Sequence, residues 1–276
     1  MSLERTIRLT NGVEMPRVHL GVFNVSDEEA ERTVAVALET GYRAVDTASL
    51  YRNEVGVGRA VRASGIERER LFITSKLWND EHGYEQALAG FEASRKRLGL
   101  EYLDLYLIHW PVPGKFPETW RALQQLYRDG RVRSIGVSNF QIHHLQALRN
   151  SAENKPMVNQ VEFHPFIYSE QRDLLEYCAV HQIVVQAWAP LARARRFDDP
   201  AIRQVATAHG RTPAQVMLRW ALQHEVVVLP KSTNPERISA NAAVWDFELT
   251  PAEMRALDGI SDGVRVGPHP DTFLSS

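Results

Sequence analysis

The chain has 276 residues and 44% hydrophobic content, enough to bury a large core in one big domain or two ordinary ones. Its 32 basic and 34 acidic residues argue against a general attraction to nucleic acid or an anionic membrane. The single cysteine, Cys178, excludes an internal disulfide and a thiolate metal cluster. The N-terminus lacks the apolar core of a signal peptide, and no stretch approaches the ~20 apolar residues of a membrane span. We therefore expect a cytoplasmic protein without nucleic-acid or membrane partners.

The first predicted element is a β-hairpin in the segment TIRLTNGVEMP, residues 6–16. Two short extended pieces flank Asn11-Gly12, a dipeptide preferred in tight type I′ turns. Because the hairpin precedes the regular part of the sequence, we expect it to close one end of the fold.

Short apolar runs then alternate with segments of helical period. The eight runs are RVHLGVF, RAVDT, LFITS, LDLYLIHW, RSIGVS, MVNQVEF, IVVQAWA and VVVLPKS. Continuous apolar runs are typical of parallel strands that helices cover. Three helix starts fit a capping box, in which a Ser or Thr and an acidic or amide side chain three residues later bond each other's backbone. These pairs are Ser26 with Glu29, Thr212 with Gln215 and Thr250 with Glu253.

Eight strand–helix units in about 250 residues predict a (β/α)8 TIM barrel of the α/β class, with the hairpin closing its bottom. No linker divides the alternation, so we predict a single domain over residues 1–276. The competing fold is a doubly wound dinucleotide-binding sheet, which requires G-x-G-x-x-G directly after an early strand. The nearest segment, GVGRAV, has Val61 in place of the third glycine and follows no strand directly. We therefore favour the barrel.

Polar or aromatic residues close several of the apolar runs, at the barrel rim where such folds place their chemistry. They are Asp46, Lys76, His109, Ser138, Asn139, Gln160, Trp188 and Lys231. Taken singly, Asp46 could cap a turn, Lys76 could be a surface lysine and His109 a satisfied buried histidine. However, an acid, a lysine and a histidine close three consecutive strands, and Tyr51 lies in the loop after the first. Together these residues favour a reactive site.

The residue types at this rim suit the reduction of a carbonyl group. A phenol has an ordinary pKa of about 10, and a nearby ammonium lowers that pKa. Lys76, held by Asp46, would thus make Tyr51 a usable general acid, while His109 orients a carbonyl oxygen. No residue here is an evident nucleophile and side chains cannot deliver hydride. The residues therefore predict a bound hydride-donating cofactor and no metal.

Six segments resemble, in order, the motifs of the aldo-keto reductase family over essentially the whole chain. They are GYRAVDTASLYRNEVGVG, LFITSKLWN, LDLYLIHWP, IGVSNF, MVNQVEFHP and VLPKSTNPERISAN. Within that family the sequence is most similar to bacterial glyoxal or methylglyoxal reductases and 2,5-diketo-D-gluconic acid reductases. The resemblance implies a monomeric NADPH-dependent reductase of small carbonyl compounds, with a catalytic tetrad of Asp46, Tyr51, Lys76 and His109.

The resemblance also implies where NADPH binds. Ser138, Asn139 and Gln160 would hold the carboxamide, Trp188 would stack on the nicotinamide ring, and Leu191 would contact the pyrophosphate. The 2′-phosphate would meet Lys231, Ser232 and Arg237, which favours NADPH over NADH; alternatively, Arg237 and Asn241 only decorate a helix surface. The full implied set is Gly21, Val22, Asp46, Ser138, Asn139, Gln160, Trp188, Leu191, Lys231, Ser232, Thr233, Arg237 and Asn241.

The implied substrate pocket is aromatic, with Phe23, Trp78 and Trp110 beside His109. The rings could instead belong to the core. The segment after Trp110 and the tail after Asp262 are short, which suggests a small and fairly open pocket.

The chain departs from the family pattern in a loop that holds Arg193, Arg195 and Arg196, where small residues are usual. Two other functions remain open on the sequence. One is a Schiff-base aldolase that uses Lys76 or Lys231, and the other is a catalytically weak NADPH-binding sensor or partner protein.

Overall fold

A computed structural model describes residues 5–151 and 153–273. The predicted domain 1–276 also includes residues 1–4, 152 and 274–276, which lie outside the described residues. The described chain begins with an antiparallel hairpin of strands β1 (Thr6–Arg8) and β2 (Glu14–Pro16).

Eight parallel strands follow and form one curled sheet, in which strands that neighbour each other in sequence also pair. They are β3 (Leu20–Gly21), β4 (Ala44–Asp46), β5 (Phe72–Leu77), β6 (Leu105–Ile108), β7 (Ile135–Ser138), β8 (Val158–Glu162), β9 (Val184–Trp188) and β10 (Val227–Val228). A parallel bridge between Val18 and Val228 joins the last strand to the first. The sheet is thus a (β/α)8 barrel, which confirms the predicted fold class.

Helices connect the strands and cover the outer face of the barrel. They are α1 (Asp27–Glu39), α2 (Glu54–Ala63), α3 (Tyr84–Leu98), α4 (Phe116–Arg128), α5 (Ile142–Ser151), α6 (Tyr168–Val180), α7 (Pro200–His209), α8 (Pro213–Gln223), α9 (Pro235–Ala242) and α10 (Pro251–Asp258). Because helices cover one face and side chains fill the inside, every residue of β4 to β8 is buried. No helix of the described chain combines the length and apolar character needed to cross a membrane.

The hairpin lies at the bottom of the barrel, as predicted, but its turn differs from the expected type I′. A type I′ turn needs a positive φ at both of its central residues. Gly12 has a positive φ of 85°, but Asn11 does not. The amide of Gly12 donates to Leu9 O at 2.9 Å. The Asn11 side chain donates to Arg133 O at 2.8 Å, across the barrel bottom. This distant contact, which the dipeptide alone does not reveal, accompanies the different turn.

The glycines of the segment GVGRAV lie inside α2 and serve helix packing. A Cβ on Gly56 would come within 1.9 Å of Asp27 O, and one on Gly58 within 2.0 Å of Leu98 O. Only glycine allows this close approach to the neighbouring backbone. The segment is therefore not a phosphate-binding loop, consistent with the rejection of the doubly wound fold.

The predicted capping boxes form fully at two helix starts. Thr212 with Gln215 and Thr250 with Glu253 each make both reciprocal bonds. At α1, Ser26 accepts from the amide of Glu29, but no returning side-chain bond is formed. All three predicted Ser or Thr residues are nevertheless the N-caps of their helices. In each case the hydroxyl accepts from a free backbone amide of the first helical turn.

Candidate active site

The loop after β4 carries Tyr51 to the rim of the barrel. Residues Ser49–Tyr51 form a single 3-10 turn, which ends at Arg52 with φ 54°. Buried Asn53 ties the loop down, because its side-chain amide donates to Val22 O at 2.8 Å and to Val25 O at 2.9 Å. Asn53 was not among the predicted site residues, and its anchoring role depends on contacts about 30 residues away in the chain.

Lys76 occupies the centre of the site with a fully buried side chain. Its Nζ donates to Asp46 Oδ1 at 2.5 Å, to Thr47 O at 2.9 Å and to the Tyr51 hydroxyl at 3.4 Å. The second carboxylate oxygen of Asp46 accepts from Gln160 Nε2 at 2.8 Å. Both oxygens of Asp46 are thus engaged, and the ammonium is held against the phenol.

The charges of this group follow from burial and from close partners. Burial alone would lower the pKa of Lys76, but Asp46 and Tyr51 raise it, and the net pKa lies above the ordinary value. Burial raises the pKa of Tyr51, and Lys76 lowers it, as expected from the sequence. The effect of burial is the larger of the two, so the net pKa of Tyr51 lies above the ordinary value. Tyr51 is therefore protonated near neutral pH, which is the state that a proton donor needs.

His109 lies beside the phenol and is neutral. Its ring centroid is 5.8 Å from that of Tyr51 and 5.0 Å from that of Trp78. Burial first and Lys76 second lower its pKa well below the ordinary value. Its Nδ1 is buried within the described chain, where a substrate cannot reach it, so Nε2 is the ring nitrogen that can meet a carbonyl oxygen.

The residues expected at the carboxamide form one hydrogen-bonded group. Ser138 Oγ donates to Gln160 O at 2.8 Å, and Asn139 Nδ2 donates to His109 O at 3.0 Å. Trp188 Nε1 donates to Asn139 Oδ1 at 2.8 Å. Asn139 has a positive φ of 64°, a conformation that asparagine tolerates better than most residues. These bonds connect the cofactor candidates to His109.

The segment after β10 offers positive charge at a helix start. Lys231 and Arg237 are exposed, and neither forms an ion pair within the described residues. Asn234 caps α9 by accepting from the amide of Arg237 at 2.9 Å. Free cations next to a helix N-terminus suit an anionic phosphate, so the donor set fits the predicted 2′-phosphate.

The other predicted cofactor residues border this region. Gly21 donates its amide to Pro230 O at 3.0 Å, and Val22 donates to Asp46 O at 3.3 Å, so both amides are already used within the barrel. Ser232 and Asn241 are buried, while Thr233 and Leu191 are half-buried. Among these predicted residues, Lys231 and Arg237 offer charge that no ion pair neutralises within the described chain.

The predicted aromatic walls divide into two groups. Phe23 contacts Tyr51, with ring centroids 5.1 Å apart, and Trp78 contacts His109. Trp110 instead packs on Phe273 of the C-terminal tail, with centroids 4.4 Å apart. The short tail therefore reaches the rim and covers one wall, so this side is less open than expected.

Comparisons with known proteins show the family of this chain. The model of the aldo/keto reductase family matches residues 18–262. The chain is 52% identical to glyoxal reductase of Bacillus subtilis (strain 168), over 99% of each chain. It is 44% identical to methylglyoxal reductase DkgA of Escherichia coli (strain K12), also over 99% of each. A crystal structure of a Bombyx mori aldo-keto reductase in complex with NADP has a TM-score of 0.91 and 34% identity, and the match covers 97% of this chain and 96% of that one. The chain belongs to the aldo/keto reductase family.

Proposed function

We propose that this protein reduces small aldehydes and ketones to alcohols with NADPH. The substrate class includes glyoxal, methylglyoxal and keto sugars such as 2,5-diketo-D-gluconate. The single observation that carries the proposal is buried Lys76, whose Nζ contacts both Asp46 Oδ1 and the Tyr51 hydroxyl. The similarity to glyoxal reductase and to methylglyoxal reductase supports the substrate class.

The proposed roles follow from charge and position. When bound, NADPH would supply the hydride for the carbonyl carbon. Neutral His109 holds the carbonyl oxygen by hydrogen bonding, and Tyr51 gives that oxygen its proton. Lys76 stabilises the phenolate that remains, and Asp46 keeps Lys76 charged and in place.

The cofactor would lie across the rim from the β7–β9 ends to α9. Ser138, Asn139 and Gln160 would hold the carboxamide and Trp188 the nicotinamide ring. The middle part of NADPH would be bordered by Leu191, Gly21 and Val22. The proposed contacts of the adenosine end are Lys231, Ser232, Thr233, Arg237 and Asn241.

The substrate would enter between the aromatic walls. Phe23 and Trp78 flank the Tyr51–His109 pair, and Trp110 stands beside the tail. These apolar rings around two polar groups suit a small carbonyl compound.

The test is NADPH oxidation by the purified protein with glyoxal, methylglyoxal and 2,5-diketo-D-gluconate. We expect turnover of at least one dicarbonyl, with the alcohol as product. NADPH binding without turnover of any of the three would favour the sensor or partner protein instead.

Coenzyme preference tests the phosphate end. In the double variant Lys231→Ala/Arg237→Ala, we expect the kcat/KM ratio of NADPH over NADH to fall by about 10²-fold, because two charge-assisted contacts are lost. The rate with NADH should change little. Arg203→Ala removes an exposed arginine from α7 and serves as the matched control. An unchanged ratio in the double variant would place the 2′-phosphate elsewhere.

A Schiff-base aldolase is not favoured. Lys76 is a buried ammonium with a raised pKa, so it offers no free amine for attack on a carbonyl. Lys231 is exposed and lies in the cationic segment at α9. Borohydride trapping of a substrate on either lysine would revive this function.

We also propose that residues 1–276 form one domain that acts as a monomer in the cytoplasm, without nucleic-acid or membrane partners. The near balance of 32 basic and 34 acidic residues supports the absence of a polyanionic partner. Light scattering after size-exclusion chromatography checks the monomer.

A further inference from the structure

The C-terminal strap, residues 261–273, crosses the rim that carries the candidate site. Its base is fixed to the end of the barrel, because the amides of Asp262 and Gly263 donate to Phe166 O at 3.0 Å and 2.9 Å. Asp262 also pairs with Arg196 at 2.6 Å. The far end reaches Trp110 through Phe273. The strap is therefore anchored at both ends, and its middle residues, 264–272, are held close to the rim.

The middle of the strap is held by Glu162, the last residue of β8. Its side chain is buried, yet the proposed reduction does not use this carboxylate. Its Oε1 accepts from the amide of Val266 at 2.5 Å and lies 3.1 Å from His164 Nε2. Its Oε2 lies 3.5 Å from Arg265 Nη1. Because a buried carboxylate is costly without partners, the strap and Glu162 stabilise each other.

Glu162 is also the register partner of Trp188 on the neighbouring strand β9. The strap residue next to Val266 is Gly267, and it lies directly on the Trp188 indole. A Cβ on Gly267 would come within 2.3 Å of Trp188 Cη2 and 3.0 Å of Cζ3. The opposite end of the indole is fixed by its bond from Nε1 to Asn139. Both ends of the indole are thus held, one by Asn139 and one by the strap.

We propose that Glu162 and Gly267 are positioning residues that set the Trp188 indole for the nicotinamide ring. Glu162 acts through the Val266 amide and Gly267 through direct contact. The inference rests on the proposed function, in which Trp188 stacks on that ring. It adds a role for the strap on the cofactor side of the site.

The first test is Gly267→Ala, in which the added methyl group must displace the indole. We expect the Kd and the KM for NADPH to rise about tenfold, as for the loss of one aromatic stacking contact. The KM for methylglyoxal should change much less. Val264→Ala changes an exposed side chain of the same strap and should match the wild type. Kd is measured by titration of NADPH fluorescence.

The second test compares Glu162→Ala with Glu162→Gln. The glutamine keeps an oxygen that can accept from Val266 N, whereas alanine does not. We expect Glu162→Ala to raise the Kd for NADPH about tenfold and Glu162→Gln to recover most of the affinity. Thermal unfolding of both variants shows whether they remain folded; a folded Glu162→Ala protein with wild-type affinity overturns the role of Glu162.

Trp188→Ala separates this inference from the proposed function. If Trp188→Ala weakens NADPH binding but Gly267→Ala does not, the strap does not position the indole, and the proposed function stands. If Trp188→Ala itself leaves the Kd for NADPH unchanged, the assignment of Trp188 is wrong and the strap inference is wrong with it. Weaker binding in both variants supports the inference.

Discussion

Tyr51→Phe is expected to lower kcat for carbonyl reduction by about 10²–10⁴-fold, the usual contribution of a general acid. The change removes one hydroxyl and leaves the ring, so the packing against Phe23 should persist. The Kd for NADPH should therefore stay near that of the wild type. Single-turnover kinetics with methylglyoxal and NADPH titration measure the two effects separately.

The matched control for this variant is Tyr177→Phe. The Tyr177 hydroxyl has no hydrogen-bond partner in the described chain, so its removal deletes the same atom without touching the site. This variant should keep wild-type kcat. Equal rates for Tyr51→Phe and the wild type would contradict the proposed proton donor.

The pH dependence of the same reaction follows from two pKa shifts. Burial lowers the pKa of His109 well below its ordinary value and raises that of Tyr51 above its ordinary value. At any pH between these two pKa values, His109 is neutral and Tyr51 is protonated. kcat/KM for reduction should therefore be flat from about pH 7 to about pH 9. A change in kcat/KM within that pH range would show that His109 or Tyr51 has a different protonation state in the working enzyme.

The fold could be predicted from the sequence because buried parallel strands leave continuous apolar runs. All eight runs became strands of the barrel, although β3 and β10 have only two residues each. The hairpin was found, but its turn type was not. The bond from Asn11 to Arg133 O joins residues 122 positions apart, and a local dipeptide preference carries no information about it.

The candidate site could be predicted as far as strand ends determine it. Asp46, Lys76 and His109 close consecutive strands, so barrel geometry alone brings them to one rim. The net pKa of Tyr51 could not be predicted, because burial depends on the whole loop. Glu162 was missed because its partner on the strap, Val266, lies 104 residues away in the chain. An acid inside the apolar run MVNQVEF was the available signal.

The buried Asp46–Lys76 pair should affect both stability and catalysis. Lys76→Met leaves the Asp46 carboxylate buried without its cation, and Asp46→Asn leaves the Lys76 ammonium without its anion. Removing one partner of a buried pair should lower the free energy of unfolding by about 3–5 kcal/mol. Either change should also lower kcat, because the ammonium no longer stands charged and fixed beside Tyr51. Urea unfolding and NADPH oxidation measure the two losses.

The double variant Asp46→Asn/Lys76→Met separates stability from chemistry. It buries no uncompensated charge, so the free energy of unfolding should recover most of the loss, while kcat should stay low. The exposed pair Glu118 and Arg121 is the control, since its removal should cost less than about 1 kcal/mol. A double variant that regained kcat together with stability would show that the pair only supports the fold. Recovery of stability alone would show that the buried ammonium is kept, at a cost in desolvation, for its effect on the phenol.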